Sequence, residues 1–212
     1  MTQINKSLTK VKGMKIRTFG KGGQQYMADL WTGCPISASY TSTERDLFAF
    51  SETDAQSVTP FLPSLLTNLV ESRRIGSTMS FKATKLTFRL VKVDSTACSI
   101  AEIQAAKTLL ASARVDIQVG SNNTTIGQFS GLHLINAIEA VGSNATATAA
   151  TSQGVQNAQG WISLPMPIPL QANVNIGGKL KFNLPSIPAA LVATGVQWAF
   201  IVMLSGVKEV KS

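Results

Sequence analysis

Along most of the chain, alternate positions are apolar. In Lys85-Leu86-Thr87-Phe88-Arg89-Leu90, Leu86, Phe88 and Leu90 interleave with Lys85, Thr87 and Arg89. This is the period of a strand with one face buried and one in water. Val91-Lys92-Val93 continues it with the phase slipped by one residue, which predicts a bulge there. Val115, Ile117 and Val119 alternate with Asp116 and Gln118, Gly120-Ser121-Asn122-Asn123 carries turn chemistry, and Thr124–Phe129 reads as the returning partner strand. Leu132–Ile135 and Trp161–Leu164 are further short strand-like pieces. Leu180, Phe182 and Leu184 alternate with Lys179, Lys181 and Asn183. Val196–Leu204 is apolar almost throughout and predicts a strand buried on both faces, followed by a short polar end at Lys208–Ser212.

Two segments carry the helical period instead. Leu65, Leu66, Leu69 and Val70 predict a helix over Ser64–Arg73, with Pro63 limiting its start and Gly76 beyond its end. Ser99 and Glu102 have the spacing of a capping box, and Ile103, Ala106 and Leu110 continue a helix over about 100–111. Residues 29–59 read as one or two short strands joined by loops, and Ser143–Gln159 as a loop rich in Ala, Thr, Ser and Gln. Pro165, Pro167 and Pro169 remove amide donors, so Pro165–Leu170 belongs at a sheet edge or in a connection. No regular βαβ alternation occurs. The fold predicted is mostly β: an antiparallel two-sheet β-sandwich of jelly-roll type, with roughly eight strands and two short helices in connections.

Charge changes this picture in two ways. Only 14% of residues are charged, against about 25% in ordinary soluble domains, and Ala140–Gly178 has no charge at all. Such a surface is suited to packing against other subunits. The formal charge of +8 is also unevenly spread. Lys6, Lys10, Lys12, Lys15, Arg17 and Lys21 lie in Met1–Ala28 with no acid among them, while the rest of the chain is close to neutral. The organisation read from this is a basic N-terminal arm over 1–28 and a single sandwich domain over 29–212. An uncompensated cationic arm faces a polyanion or docks on a neighbouring subunit. Lys85 and Arg89, with Lys179 and Lys181, occupy the polar faces of two strands. If those strands share a sheet, the four build one cationic surface continuous with the arm.

Catalytic motifs are absent from the sequence, and the expectation is a protein that is not an enzyme, with no cofactor, metal or small-molecule substrate. His133 could serve as a general base but has no nucleophile signature beside it. Asp46, Glu52 and Asp54 could offer oxygens to calcium, yet lack the spacing of a calcium loop. Cys34 and Cys98 form no C-x-x-C pair and read as buried thiols. Trp31 and Trp161 are candidates for an aromatic platform, whereas Trp198 sits in an apolar run and belongs to the core. There is no leader pattern, and no apolar run reaches the length of a transmembrane helix.

Taken together, the basic arm, the strand count, the Pro165–Leu170 segment leading into Gly177–Leu184, and the closing strand Val196–Leu204 resemble the single jelly-roll coat proteins of small icosahedral viruses and tailless phages. The resemblance implies a virion structural protein, made in the host cytoplasm, that self-assembles into a capsid. Its partners would be copies of itself and other capsid proteins, with viral nucleic acid or anionic lipid against the arm. The alternative is a β-sandwich binding module, such as a lectin-like domain or a phage tail or fibre component.

Overall fold

The computed structural model describes residues 23–58, 61, 63–94, 96–132 and 161–211. Eight strands run in chain order: β1 (Gly23–Ile36), β2 (Glu44–Leu47), β3 (Met79–Lys92), β4 (Ala113–Val119), β5 (Thr124–Ser130), β6 (Ile162–Leu170), β7 (Ile176–Phe182) and β8 (Trp198–Lys211). They form two antiparallel sheets, ordered β1-β8-β3-β6 and β2-β7-β4-β5. The pairs β4–β5, β3–β6, β2–β7 and β1–β8 are nested one outside the next, and the contacts β8–β3 and β7–β4 join them into sheets. Only the β4–β5 hairpin stays within one sheet. Every other connection carries the chain across to the opposite sheet.

The two sheets enclose one apolar core. Phe200 of β8 lies between Phe88 of β3, at 5.9 Å between ring centroids, and Phe182 of β7, edge-on at 5.4 Å. All three are fully buried. Burying a side chain of this size contributes about 1.5–3 kcal/mol. The inward row on β8 is Trp198, Phe200, Val202 and Leu204, and on β3 it is Phe81, Ala83, Leu86, Phe88 and Leu90. The phase change between Ala83 and Leu86 is a bulge at Thr84. The predicted slip at Val91 is therefore misplaced. The pairing of β3 with β8 runs unbroken from Lys85 to Lys92, and Val91 is apolar because its outward face is covered.

That cover comes from residues 51–70. Two single-turn helices, α1 (Glu52–Ala55) and α2 (Pro63–Leu66), set Ala55, Val58, Phe61 and Leu66 over Ala199 and Ile201 on the outer face of β8. The backbone of α2 comes so close to β1 that a Cβ on Gly33 would run into the Leu65 carbonyl. The helix predicted over Ser64–Arg73 stops after Leu66. Thr67 bridges Thr32, and the Asn68 side chain accepts from the Trp31 N–H and donates to the Asp29 carbonyl. Leu66 then serves the outer cluster and Leu69 the main core. A continuous helix could not send neighbouring turns to the two sides of a sheet edge.

The predicted helix after Ser99 is α3 (Ile100–Ser112), which carries the chain from one sheet to the other. Its capping box forms as the spacing implied: the Ser99 hydroxyl accepts from the Glu102 N–H, and the Glu102 carboxylate accepts from the Ser99 N–H. Glu102 is also 2.6 Å from Lys92 Nζ, which ends the inward row of β3, and Asp94 stands 3.5 Å from the same ammonium. These side chains are 7–9% exposed, so the cluster locks the start of α3 to the end of the β3–β8 ladder. Burial works to raise the Glu102 and Asp94 carboxyls. Hydrogen bonds from Lys92 and Ser99 on Glu102, and from Thr96 and Gln197 on Asp94, outweigh it and hold both below the ordinary range.

Two boundaries move. Residues 23–28, assigned to the arm, are the first pairs of β1, in register with Gly206–Lys211; and the polar end 208–211 is the last part of β8 rather than a tail. The proline-rich segment joins Ile162–Leu164 in the single edge strand β6. Leu132 lies in a 3-10 turn, while the rest of the strand predicted at Leu132–Ile135, the loop at Ser143–Gln159 and residues 1–22 fall outside the described residues. Among the described residues no helix is long and apolar enough to cross a membrane.

Two outcomes follow from this packing. Gly33→Ala displaces α2 from the sheet and lowers unfolding free energy by about 1–3 kcal/mol, read by chemical denaturation. Glu102 and Asp94 stabilise the fold fully above their ordinary carboxylate values and cease to do so as pH falls through their lowered ones. Stability therefore drops with acidification below about pH 4.5, the ordinary value for a glutamate. Glu102→Gln costs about 3 kcal/mol at neutral pH and flattens that acid limb, measured by denaturation across pH.

Candidate polyanion-facing surface

The six arm cations, Lys6, Lys10, Lys12, Lys15, Arg17 and Lys21, lie outside the described residues, as does His133. Gly23 pairs with Lys211, so the first residue of β1 and the last of β8 meet at one corner of the β1-β8-β3-β6 sheet.

The outer face of that sheet has two halves. Towards Trp198 it lies under α1 and α2. Towards the chain termini, that cover is absent among the described residues, and the register sets out its rows. Met27, Val207, Lys82 and Pro169 form one row; Asp29, Ser205, Lys85 and Ser163 the next; then come Trp31, Met203 and Thr87, and after them Gly33, Ile201 and Arg89. Lys82, Lys85 and Arg89 therefore make a column along β3, about 20 Å long at ordinary strand rise. None of the three is in an ion pair among the described residues. Two acids share this face: Asp29 in the Lys85 row, two strands away at roughly 10 Å, and Glu209 on β8, whose row with Gln25 and Ser80 lies next to that of Lys82. Residues outside the described segments contribute a single acid, Glu139. Beside the column, Lys85 Nζ lies 4.3 Å from the ring centroid of Trp161, whose residue is 40% exposed.

Lys179 and Lys181 belong elsewhere. They are on β7, in the other sheet, so the expected single surface of four cations does not form. Alternation along a strand tells which residues share a face, but not which sheet the strand joins. On the outer face of that second sheet the charges neutralise one another. Lys179 is 2.7 Å from Asp46 and 3.6 Å from Glu44, Arg73 is 2.7 Å from Asp46, and Arg114 is 3.3 Å from Asp116. Lys181 is the exception: it is in no ion pair among the described residues and lies between Glu44 on β2 and Arg114 on β4. The hydrogen bond from Lys179, with the nearby Arg73 guanidinium, holds the Asp46 carboxyl below its usual range, and the same hydrogen bond raises the Lys179 ammonium. Sequence reasoning missed Lys82, although a signal was present: Phe81 and Ala83 alternate with Ser80 and Lys82 before the phase changes at Thr84.

The remaining candidates are accounted for structurally. Asp46 is engaged by two cations, Asp54 caps α1 through Ser51, and no group of three potential ligands for a metal occurs among the described residues. Trp198 is buried in the core, and Trp31 donates its ring N–H to the Ser64 carbonyl. Both cysteines are buried free thiols, and burial pushes Cys34 up to about 12. A pocket of about 350 Å³ opens beside Cys34, Tyr40, Arg45 and Lys179. Arg45 faces inward from the edge strand β2, with its guanidinium 6.0 Å from the Tyr40 ring and its Nε and Nη2 without hydrogen-bond partners among the described residues. The Cys34 thiol stays protonated at neutral pH, so it supplies no nucleophile to this pocket.

No protein-family model matches the chain, and neither the curated proteins nor the solved structures contain a match.

The contrast between the two faces can be read on a heparin resin. Lys179→Gln with Lys181→Gln lowers the eluting salt concentration less than Lys82→Gln with Arg89→Gln, because Lys179 is held by Asp46 and Glu44 and Lys181 stands across from Glu44. Asp46→Asn releases two cations and raises it. A fall in eluting salt in the lysine double variant equal to that from neutralising Lys82 and Arg89 would contradict the charge assignment.

Proposed function

We propose that the chain is a coat subunit that assembles with copies of itself into a closed, virus-like shell, with the arm and the Lys82–Arg89 column turned towards an enclosed polyanion. The observation carrying this reading is the nested pairing β1–β8, β2–β7, β3–β6 and β4–β5 with all but one connection crossing between sheets. Such nesting supports reading the sandwich as a jelly roll, an architecture used by viral coat domains. A fold of this kind also carries other functions, so the charge distribution adds the second support. The chain has few charges, Lys179, Arg73 and Arg114 on its second sheet are ion-paired, and Lys82, Lys85 and Arg89 on the first sheet are in no ion pair among the described residues, while six further cations precede Gly23 in the sequence.

The lectin-like alternative draws on Trp161, the one indole exposed beyond a third among the described residues. Its ring is overlaid by the Lys85 ammonium, an arrangement that favours an anionic partner over a neutral sugar.

Electron microscopy of the purified protein tests the proposal, with closed particles or rings as the expected result. Neutralising Lys6, Lys10, Lys12, Lys15, Arg17 and Lys21 together leaves the melting temperature of the sandwich within a few degrees but cuts particle yield or nucleic-acid content severalfold. A protein that remains a dispersed monomer at high concentration, or arm variants with unchanged particles and content, would overturn it.

A further inference from the structure

We infer that the half of the β1-β8-β3-β6 sheet over which no described segment lies is a binding face for single-stranded nucleic acid, built on the Lys82–Lys85–Arg89 column and the Trp161 ring. The inference rests on the polyanion-facing reading and narrows it to one partner. Three features of the face select it.

The first is unneutralised positive charge. Lys82 and Arg89 are exposed, and neither they nor Lys85 has an ion-pair partner among the described residues, whereas Lys179, Arg73 and Arg114 on the opposite sheet do. Two sheets of one small protein thus treat their cations differently. A column of free cations recruits phosphates through release of their counterions.

The second feature is the aromatic ring. Trp161 stands at the edge of the column with Lys85 Nζ 4.3 Å from its centroid. A half-open indole next to an ammonium can stack an unpaired base while the cation holds the adjoining phosphate. A base inside a duplex has no free face to offer. No described helix lies on this half of the sheet to enter a major groove, and a flat surface reads neither groove of a duplex.

The third feature is what lies between the cations. Thr87, Ser163 and Ser205 share the outer face with Lys85. Hydroxyls can donate to phosphate and sugar oxygens. In a lipid interface they would be desolvated without gain, so the face suits a nucleic acid strand better than a membrane.

The test uses the full chain, a fluorescent twenty-nucleotide oligo(dT), a duplex of equal length and vesicles containing phosphatidylserine. Oligo(dT) is expected to quench tryptophan emission, and Trp161→Phe to abolish most of that quenching. Replacing Lys82, Lys85 and Arg89 by Gln, with the arm intact, should weaken oligo(dT) binding at least tenfold. It should also reduce the slope of log affinity against log salt by about 2, as three lost phosphate contacts on a single strand require. The double variant Lys82→Gln with Arg89→Gln changes only exposed side chains and serves if the triple variant is poorly folded; its slope should fall by about 1.4. Unchanged affinity and slope in both variants, tighter binding of vesicles or duplex than of oligo(dT), or quenching that survives Trp161→Phe would each overturn the inference. Particle formation is followed by electron microscopy in the same samples. Normal shells with no effect of the column variants sink this inference alone, while intact oligo(dT) binding by a protein that forms no shells sinks the coat reading and leaves the face standing.

Discussion

The structure depends on β8 being buried from both sides at one end. Trp198, Phe200 and Val202 face the core, while Ala199 and Ile201 face outwards and are equally inaccessible. A sandwich sheet ordinarily leaves its outer face to water, so this strand requires a second layer. The chain supplies it with residues 51–70, which leave β2, cross the edge of β1 and lie over β8 before β3 begins. Gly33 is part of the same requirement, since the α2 backbone can approach only where β1 has no side chain. The short helices are therefore not decoration on a connection. They let the central strand be apolar on both faces and still be dry.

Among the described residues the cover reaches only part of the way along the sheet, and this divides the outer face chemically. Under α1 and α2 the outward positions are apolar; beyond them β3 turns to Lys82, Lys85 and Arg89 with Thr87 between. The two sheets also differ from one another. Every lysine–carboxylate and arginine–carboxylate contact on the second sheet removes net field from that side, although each exposed pair adds little to stability, about 0–1 kcal/mol. The molecule is left with a polarity that neither composition nor fold class reveals: one neutral outer face, and one cationic half-face next to the point where a further six cations join the chain.

Much of this was legible in the sequence, and the failures have physical causes. Ser99 and Glu102 announce α3 because a capping box is a local device, satisfied within one turn whatever surrounds it. The alternations at Leu86–Leu90, Val115–Val119 and Leu180–Phe182 announce β3, β4 and β7 for the same reason. The helix expected over Ser64–Arg73 failed because apolar period reports that side chains are buried without reporting where. Leu66 and Leu69 are buried in different clusters, so the period is real and the helix is not. Val91 misled in a related way: an apolar residue on the polar side of a strand signals either a bulge or a covering layer, and only the three-dimensional arrangement distinguishes them. The grouping of Lys179 and Lys181 with Lys85 and Arg89 required knowing which sheet each strand joins, which is a long-range fact. Lys92 was the least readable of all, since its alternation with Val91 gave no hint that it points inward to a partner on α3 ten residues later.

The sheet edges bear on how such a domain avoids pairing with other strands. An unpaired edge invites strand addition, and three of the four edges carry a visible guard. On β6, Pro165, Pro167 and Pro169 remove amide donors. The strand β2 is only four residues long and points Arg45 inward, where its guanidinium lacks full hydrogen bonding, an arrangement that a further strand would bury more deeply. On β1, Asn68 occupies the Asp29 carbonyl and the Trp31 N–H, the groups an incoming strand would need. These devices oppose indiscriminate growth of the sheets. If the chain assembles as proposed, contacts between copies would fall on side-chain surfaces rather than on sheet edges, and side-chain surfaces can specify an angle between neighbours, as a closed shell requires and an extended sheet does not.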